Sequence, residues 1–316
     1  MISALTVKNF NGVDLQKFAF KRVSAVVDGK EVDAFLVLDS LWLLDRLARG
    51  MVAASAPYGW IGESNPTFLK VEISNSQVGE IFYEVVLQRF GLTTSILSEK
   101  LYSENAVFLV RTRKTCSLGD NAQHFDIDSS QAALSVAMPF GGLDPITAAK
   151  VELTQLVLAI PNPVQMDSAI KYGLLDRDVV FRYLASHIVG QQQTHPIIYG
   201  VMMVSLKELG SDVTGFSVET NSFNATYLAV RYANRYKNRA VPFELIGQNE
   251  KMLIFAAFIR AVNEYVSPIT VVWHSPLNWL GQKESGSVIK MLAKSFAAQG
   301  QLMMLSREYD VLRGVK

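Results

Sequence analysis

The chain has 316 residues, of which 49% are hydrophobic and 19% charged, and its 30 basic and 29 acidic side chains leave a net charge of +1. That length holds one large domain or two ordinary ones. The charge balance excludes coating of nucleic acid through bulk charge. The single cysteine, Cys116, excludes an intrachain disulfide and any cysteine-based zinc site.

The opening residues MISALTVKNFNGVD lack the basic-then-apolar pattern of a signal peptide. Branched residues on both sides of Asp28-Gly29 predict a hairpin, RVSAVV turning into KEVDAFLVL. A helix is predicted from Ser40 to about Ala54, then a loop over 57–66 and a strand FLKVEIS. Ser76 and Gly91 bracket VGEIFYEVVLQRF as a capped helix. AVFLVRTRK and HFDID read as strands, and the loop PFGGLDP at 139–145 marks the best boundary.

Beyond that loop strands and helices alternate. TQLVLAI, PIIYGVMMVSL, TGFSVET and ITVVW read as strands. RDVVFRYLASHIV, capped by Asp176, residues 222–239, EKMLIFAAFIRAVNEYV and the segment from Ser287 read as helices. The third of these is apolar nearly all round and should be buried. The longest apolar run, 252–259, is too short to span a bilayer. The expected class is α/β or α+β: a strand-rich domain over 1–140, then an α/β domain over 146–316, with one continuous domain as the alternative.

The clearest local pattern is SFNATYLAVRYANRYKNR, 222–239. On a helix, Arg231, Arg235 and Arg239 line one side, flanked by Tyr227, Tyr232 and Tyr236. Cations beside aromatic rings can hold a phosphate chain and stack its bases. The bland alternative is a solvated helix face with inward tyrosines. Arg111 and Arg113 in VRTRK share one face of a strand and offer a second basic cluster.

In HFDID, His124, Asp126 and Asp128 point the same way on a strand and could bind a divalent metal. The same alternation is the ordinary pattern of a half-exposed strand. No HExxH, GxSxG, GxGxxG or Walker loop occurs, so no cofactor is expected.

The stretch GFSVETNSFNATYLA, with Glu219 at a strand end, loosely resembles the strand–acid–helix step of RNase H-like nucleases such as junction resolvases and the nuclease half of phage terminases. The resemblance covers about thirty residues and implies acids on separate strands holding two metal ions that activate water. Glu219 would be one of them, with Asp39 or the HFDID acids beside it.

Three functions are therefore expected, in this order. The first is a structural or assembly protein, a subunit of a larger homo-oligomer of the kind that builds a viral or phage particle. Low charge and a mean hydropathy of +0.19 favour surface that meets other copies. The second is a nucleoprotein using the arginine–tyrosine segment, and the third a metal-dependent nuclease. The expected partners are copies of the chain itself and nucleic acid, with no membrane insertion. The expected location is cytoplasmic, or within a virion.

Overall fold

Alternation of inward apolar and outward polar residues builds an eight-stranded antiparallel sheet in the first 126 residues. Its order is β2(Val13–Ala19), β1(Ile2–Phe10), β4(Thr67–Asn75), β5(Gly79–Phe90), β6(Thr93–Tyr102), β7(Val107–Thr112), β8(Thr115–Leu118) and β9(Gln123–Asp126). The computed structural model describes residues 1–27, 32–51, 56–57, 59–119, 123–138, 144–168, 184–233, 240–266, 269–275 and 278–306. The chain divides into one unit of Met1–Lys21 with Glu31–Leu156, and another of Arg22–Lys30 with Val157–Lys316.

In the first unit the sheet's apolar face meets α1(Val32–Ala48), α2(Ala133–Val136) and α3(Pro145–Thr154). Asp144 starts α3 by accepting the N–H groups of Ile146 and Thr147. Asp45 is fully buried in α1 and is held by Arg49, whose guanidinium also reaches the Thr154 carbonyl.

Two expectations change here. The segment after Asp28-Gly29 is not a returning strand: helix α1 begins at Val32. Its buried positions do not alternate; instead Val37, Leu41, Leu44 and Ala48 recur at helical spacing and are all buried. The Asp28-Gly29 turn itself lies outside the described residues. Conversely, GEIFYEVVLQRF is strand β5 and not a helix. Ile81, Tyr83, Val85 and Leu87 are buried in strict alternation, so period 2 wins over the capping signals. Gly79 and Gly91 supply the positive φ angles (81° and 60°) of the flanking hairpin turns.

The second unit holds a four-stranded sheet in the order β10(Leu156–Ala159), β14(Thr270–His274), β15(Gln301–Ser306) and β3(Val23–Val27). The pairs β14–β15 and β15–β3 are parallel. A three-stranded antiparallel sheet, β11(Val213–Thr220), β12(Thr226–Tyr232) and β13(Val241–Pro242), lies in the same unit. Its helices are α4(Leu184–Thr194), α5(Pro196–Glu208), α6(Gln248–Tyr265) and α7(Gln282–Ala298). Helix α6 is buried along its length from Met252 to Ile259, as its all-round apolar composition implies. Trp273 packs edge-on against Phe255 at 5.1 Å.

Residues 196–208 form a helix where branched residues suggested a strand. Pro196 suits a helix's first turn, and Ile198, Met202, Ser205 and Leu206 are buried at helical spacing. The largest departure from expectation falls on 226–232, within the helix expected over 222–239. Asn221 accepts the N–H groups of Phe223 and Ala225 and closes a tight turn, after which 226–232 returns as strand β12. Residues 234–239 lie outside the described residues. The final helix ends at Ala298, and the chain after Gly300 becomes β15, a fully buried strand. The mixed α/β and α+β class stands.

Candidate functional site

In open α/β sheets, ligands gather outside the carboxyl ends of the parallel strands. Here that edge belongs to β14, β15 and β3. Strand β14 ends at His274, paired in register with Leu305, and Ser275 follows with φ 49°. The Ser275 N–H donates to the Leu305 carbonyl at 2.7 Å, which holds this strained residue beside the end of β15. Ser306, the last residue of β15, is in register with Val27 of β3. His274 and Ser306 are both nearly buried. The described donor set at this edge is therefore an imidazole and hydroxyls, without a carboxylate.

A P-loop protein would put different groups here. It grips phosphates with GxxxxGK[ST] after a strand and holds Mg²⁺ through an acid on a second strand. Between β3 and α1 this chain has Asp28-Gly29-Lys30-Glu31, four residues, and β14 closes on Trp273-His274-Ser275. These residues do not fit a Mg²⁺–nucleotide of that kind.

A second feature is a cleft of about 430 Å³ in the same unit, lined by Glu208, Arg260, Glu264, Tyr265, Lys294 and Gln299 among others. Arg260 joins its two acids, donating from Nε to Glu264 at 3.0 Å and from Nη1 to Glu208. The i,i+4 spacing of Arg260 and Glu264 on a helix was readable in the sequence. Glu208 arrives from another helix and carried no local signal.

The residues singled out from sequence fall elsewhere. Arg231 is exposed on β12, while Leu228, Val230 and Tyr232 of that strand are buried. The two-residue period sends Arg231 and Tyr232 to opposite faces, so Arg231 is on a strand and not on a helical stripe. The Tyr232 hydroxyl bonds Glu250 at 3.2 Å, and the Tyr227 hydroxyl bonds Glu219 at 3.3 Å. Arg235, Tyr236 and Arg239 lie outside the described residues.

Arg111 and Arg113 do not share a face. Arg113 sits in the β7–β8 turn with φ 54°, whereas Arg111 is 1% exposed. The Arg111 guanidinium donates to the carbonyls of Arg113, Asp128 and Gln131 and lies 3.6 Å from Glu99. Glu99 in turn accepts the Tyr83 hydroxyl and the N–H groups of Ala133 and Leu134, which tethers the start of α2. This buried network orders the segment 128–134 from inside the unit.

His124 and Asp126 are exposed on β9, and His124 bonds Ser117 at 2.9 Å. Asp128 lies past the strand and bonds Ser130, which holds its carboxyl below the usual range. Glu219, on the edge strand β11, bonds Ser217 and Tyr227. Among the described residues no three His, Cys, Asp or Glu side chains converge as a metal site would require.

No protein-family model and no curated protein matches the sequence. Solved structures do match the fold. An SMC head bound to the C-winged helix domain of ScpA superposes with a TM-score of 0.60 at 13% identity, covering 99% of this chain and 92% of that one. A second SMC head domain, carrying an extended coiled coil and bound to the C-terminal domain of ScpA from Pyrococcus furiosus, gives 0.55 at 12% identity. It covers 99% of this chain and 91% of that chain. The fold is therefore similar to that of SMC heads across nearly the whole chain.

That likeness overturns the expectation of a virion or particle subunit, and with it the ranked alternatives of a polymerising nucleoprotein and an RNase H-like nuclease. Low charge and apolar content reflect two well-filled cores, which any chain with large buried sheets requires. Among the described residues no helix is long and apolar enough to cross a membrane.

Proposed function

We propose that this chain is a head-type module that works by binding a protein partner and does not turn over ATP. One conjunction carries the reading: an SMC-head-like fold over 99% of the chain, with no phosphate-gripping loop in the sequence. Phosphoryl transfer depends on positioning and charge neutralisation by the P-loop and a metal-holding acid. Here β3 is followed by Asp28-Gly29-Lys30-Glu31, and the end of β14 offers imidazole and hydroxyl in place of carboxylate. The similar SMC head bound to the C-winged helix domain of ScpA supports a small protein domain as the kind of partner.

The test is phosphate release from MgATP by the 316-residue chain, with Lys30→Ala as the companion. Lys30 is the one cation in the segment where a P-loop would stand. The expected result is equal background release by both proteins and no rise in Tm with MgATP. Metal-dependent hydrolysis that disappears in Lys30→Ala would overturn the reading.

A further inference from the structure

Strand β11 is an edge of the three-stranded sheet, paired with β12 on one side only. Three hydrogen bonds fix which of its main-chain groups face outward. The Asn221 N–H donates to the Ala225 carbonyl at 3.0 Å and closes the hairpin, so the next pair, Thr220 and Thr226, turns its groups away from each other. Leu228, opposite Val218, donates its N–H to the Ser168 carbonyl at 2.9 Å, away from β11. The Phe216 N–H leaves the sheet for the Tyr199 hydroxyl at 3.1 Å. Ser217 and Glu219 therefore bond β12, while Phe216, Val218 and Thr220 send their N–H and C=O groups to the edge.

Tyr199 occupies that edge at Phe216. Beyond it, among the described residues, no donor or acceptor meets the outward groups of Val218 and Thr220, and both residues are exposed. Shortness, proline or charge usually blunts an edge. The opposite edge of this sheet is blunted: β13 has two residues, the second of them Pro242. On β11 the one charged residue is Glu219, whose carboxylate accepts hydrogen bonds from the Ser217 and Tyr227 hydroxyls at 3.1 and 3.3 Å. Both donors are neutral. Among the described residues no cation pairs with Glu219, so a carboxylate stands uncompensated in the middle of the open stretch.

We infer that the edge at 218–220 receives an extended segment of a protein partner as an added strand, with a lysine or arginine beside Glu219. This rests on the reading of the chain as a protein-binding module. The occupant follows from the groups left open: two outward N–H and two outward C=O groups are matched by the main chain of another strand. The two-fold pairing of a second copy that uses only these groups sets Glu219 opposite Glu219, and like charges directly opposed on a sheet are destabilising. A segment carrying a cation there gains where the copy loses. Val218, 43% exposed, offers the segment an apolar contact on the other face.

The experiment titrates the isotope-labelled chain with acetyl-Thr-Val-Lys-Val-Thr-amide and follows the backbone amides by NMR. One comparison peptide has both valine nitrogens methylated, which keeps the side chains and removes the pairing donors. Another has glutamate in place of lysine. The lysine peptide should shift the amides of Val218 and Thr220 in a saturable way and slow their exchange with water by about tenfold. Glu219→Gln should weaken it about threefold. Val218→Pro should abolish binding: it removes an outward N–H that β12 does not use, and so leaves the hairpin paired. No saturable shift, shifts centred elsewhere, equal binding by either comparison peptide, or a dimer of the free chain through β11 would overturn the inference. The methylated peptide keeps the test decisive if Val218→Pro fails to fold. Phosphate release from MgATP is a separate readout, so hydrolysis by the chain and failure of the edge are distinct results.

Discussion

Asn263 Oδ1 fills the space where Gly300 lacks a side chain: a Cβ on Gly300 would overlap it and would also come within 2.7 Å of the Ile269 carbonyl. Asn263 is fully buried near the end of α6, and its amide donates to Ser295 and to the Gln299 carbonyl of α7. Its Oδ1 accepts the Ile269 N–H, and the Gln301 N–H donates to the Ile269 carbonyl. One side chain thus ties two helix ends to the starts of β14 and β15.

Gly300→Ala should accordingly destabilise the protein by about 3 kcal/mol. The sum combines a positive φ of 75° that alanine tolerates poorly with overpacking against Asn263. Urea unfolding measures it, and a midpoint equal to wild type would show that the junction relaxes freely.

Arg111→Ala should cost about 3–5 kcal/mol, because it removes the cation beside the buried Glu99 carboxylate and a donor from three carbonyls. Arg113→Ala, in the neighbouring turn, should stay within about 0.5 kcal/mol. Burial already pushes the Glu99 carboxyl above its ordinary range, against the opposing pull of its hydrogen bonds and Arg111. Loss of the guanidinium pushes it further, so the deficit of Arg111→Ala should shrink as pH falls and Glu99 becomes neutral. Chemical denaturation of both variants at neutral and acid pH checks the pair.

Asp39, half-buried on α1, accepts a hydrogen bond from Asn11 at 3.4 Å, and burial raises its pKa from 3.8 to about 6. The folded state therefore binds more protons than the unfolded chain between those two values. The sign follows: this residue's contribution to stability improves as pH falls from above 6 toward 4 and is least favourable at pH 7. Asp39→Asn should raise Tm at pH 7, and the gain should vanish below pH 4. A thermal scan across that window decides it; a gain independent of pH would refute the assignment.

Lys251 is 4% exposed in α6 and donates to the carbonyls of Pro163 and Glu244 at 3.0 Å each and of Met166 at 3.5 Å. Burial lowers its pKa. Lys251→Met keeps the volume but takes a charged donor from each of those carbonyls, and should cost about 2 kcal/mol. Amide exchange should quicken at Gln165 and Met166, whose turn these bonds hold; unchanged exchange would mean that the carbonyls find other donors.

Where one side of an element faced a core, its period was readable before any tertiary information. Helix α6 is apolar all round and buried, and ITVVW and TGFSVET became β14 and β11. The same reasoning failed at 79–90, 196–208 and 226–232, where cap-like or branched residues supported two periods equally well. Pairing of β5 with β4 and β6, and of β12 with β11, decided the first and the last, because hydrogen-bonded partners outside the segment outweigh local propensity, while burial at helical spacing decided 196–208. The candidate site was less legible still.

By itself, the sequence determined the mixed α/β class, the want of a P-loop and the single cysteine, Cys116. Only the tertiary structure took Arg111 inside and brought Glu208 to Arg260 across 52 residues. It likewise set His274 beside Leu305 at a strand end. Those relations depend on which segments pack together, and burial energy, unlike local periodicity, is shared among residues far apart in the chain.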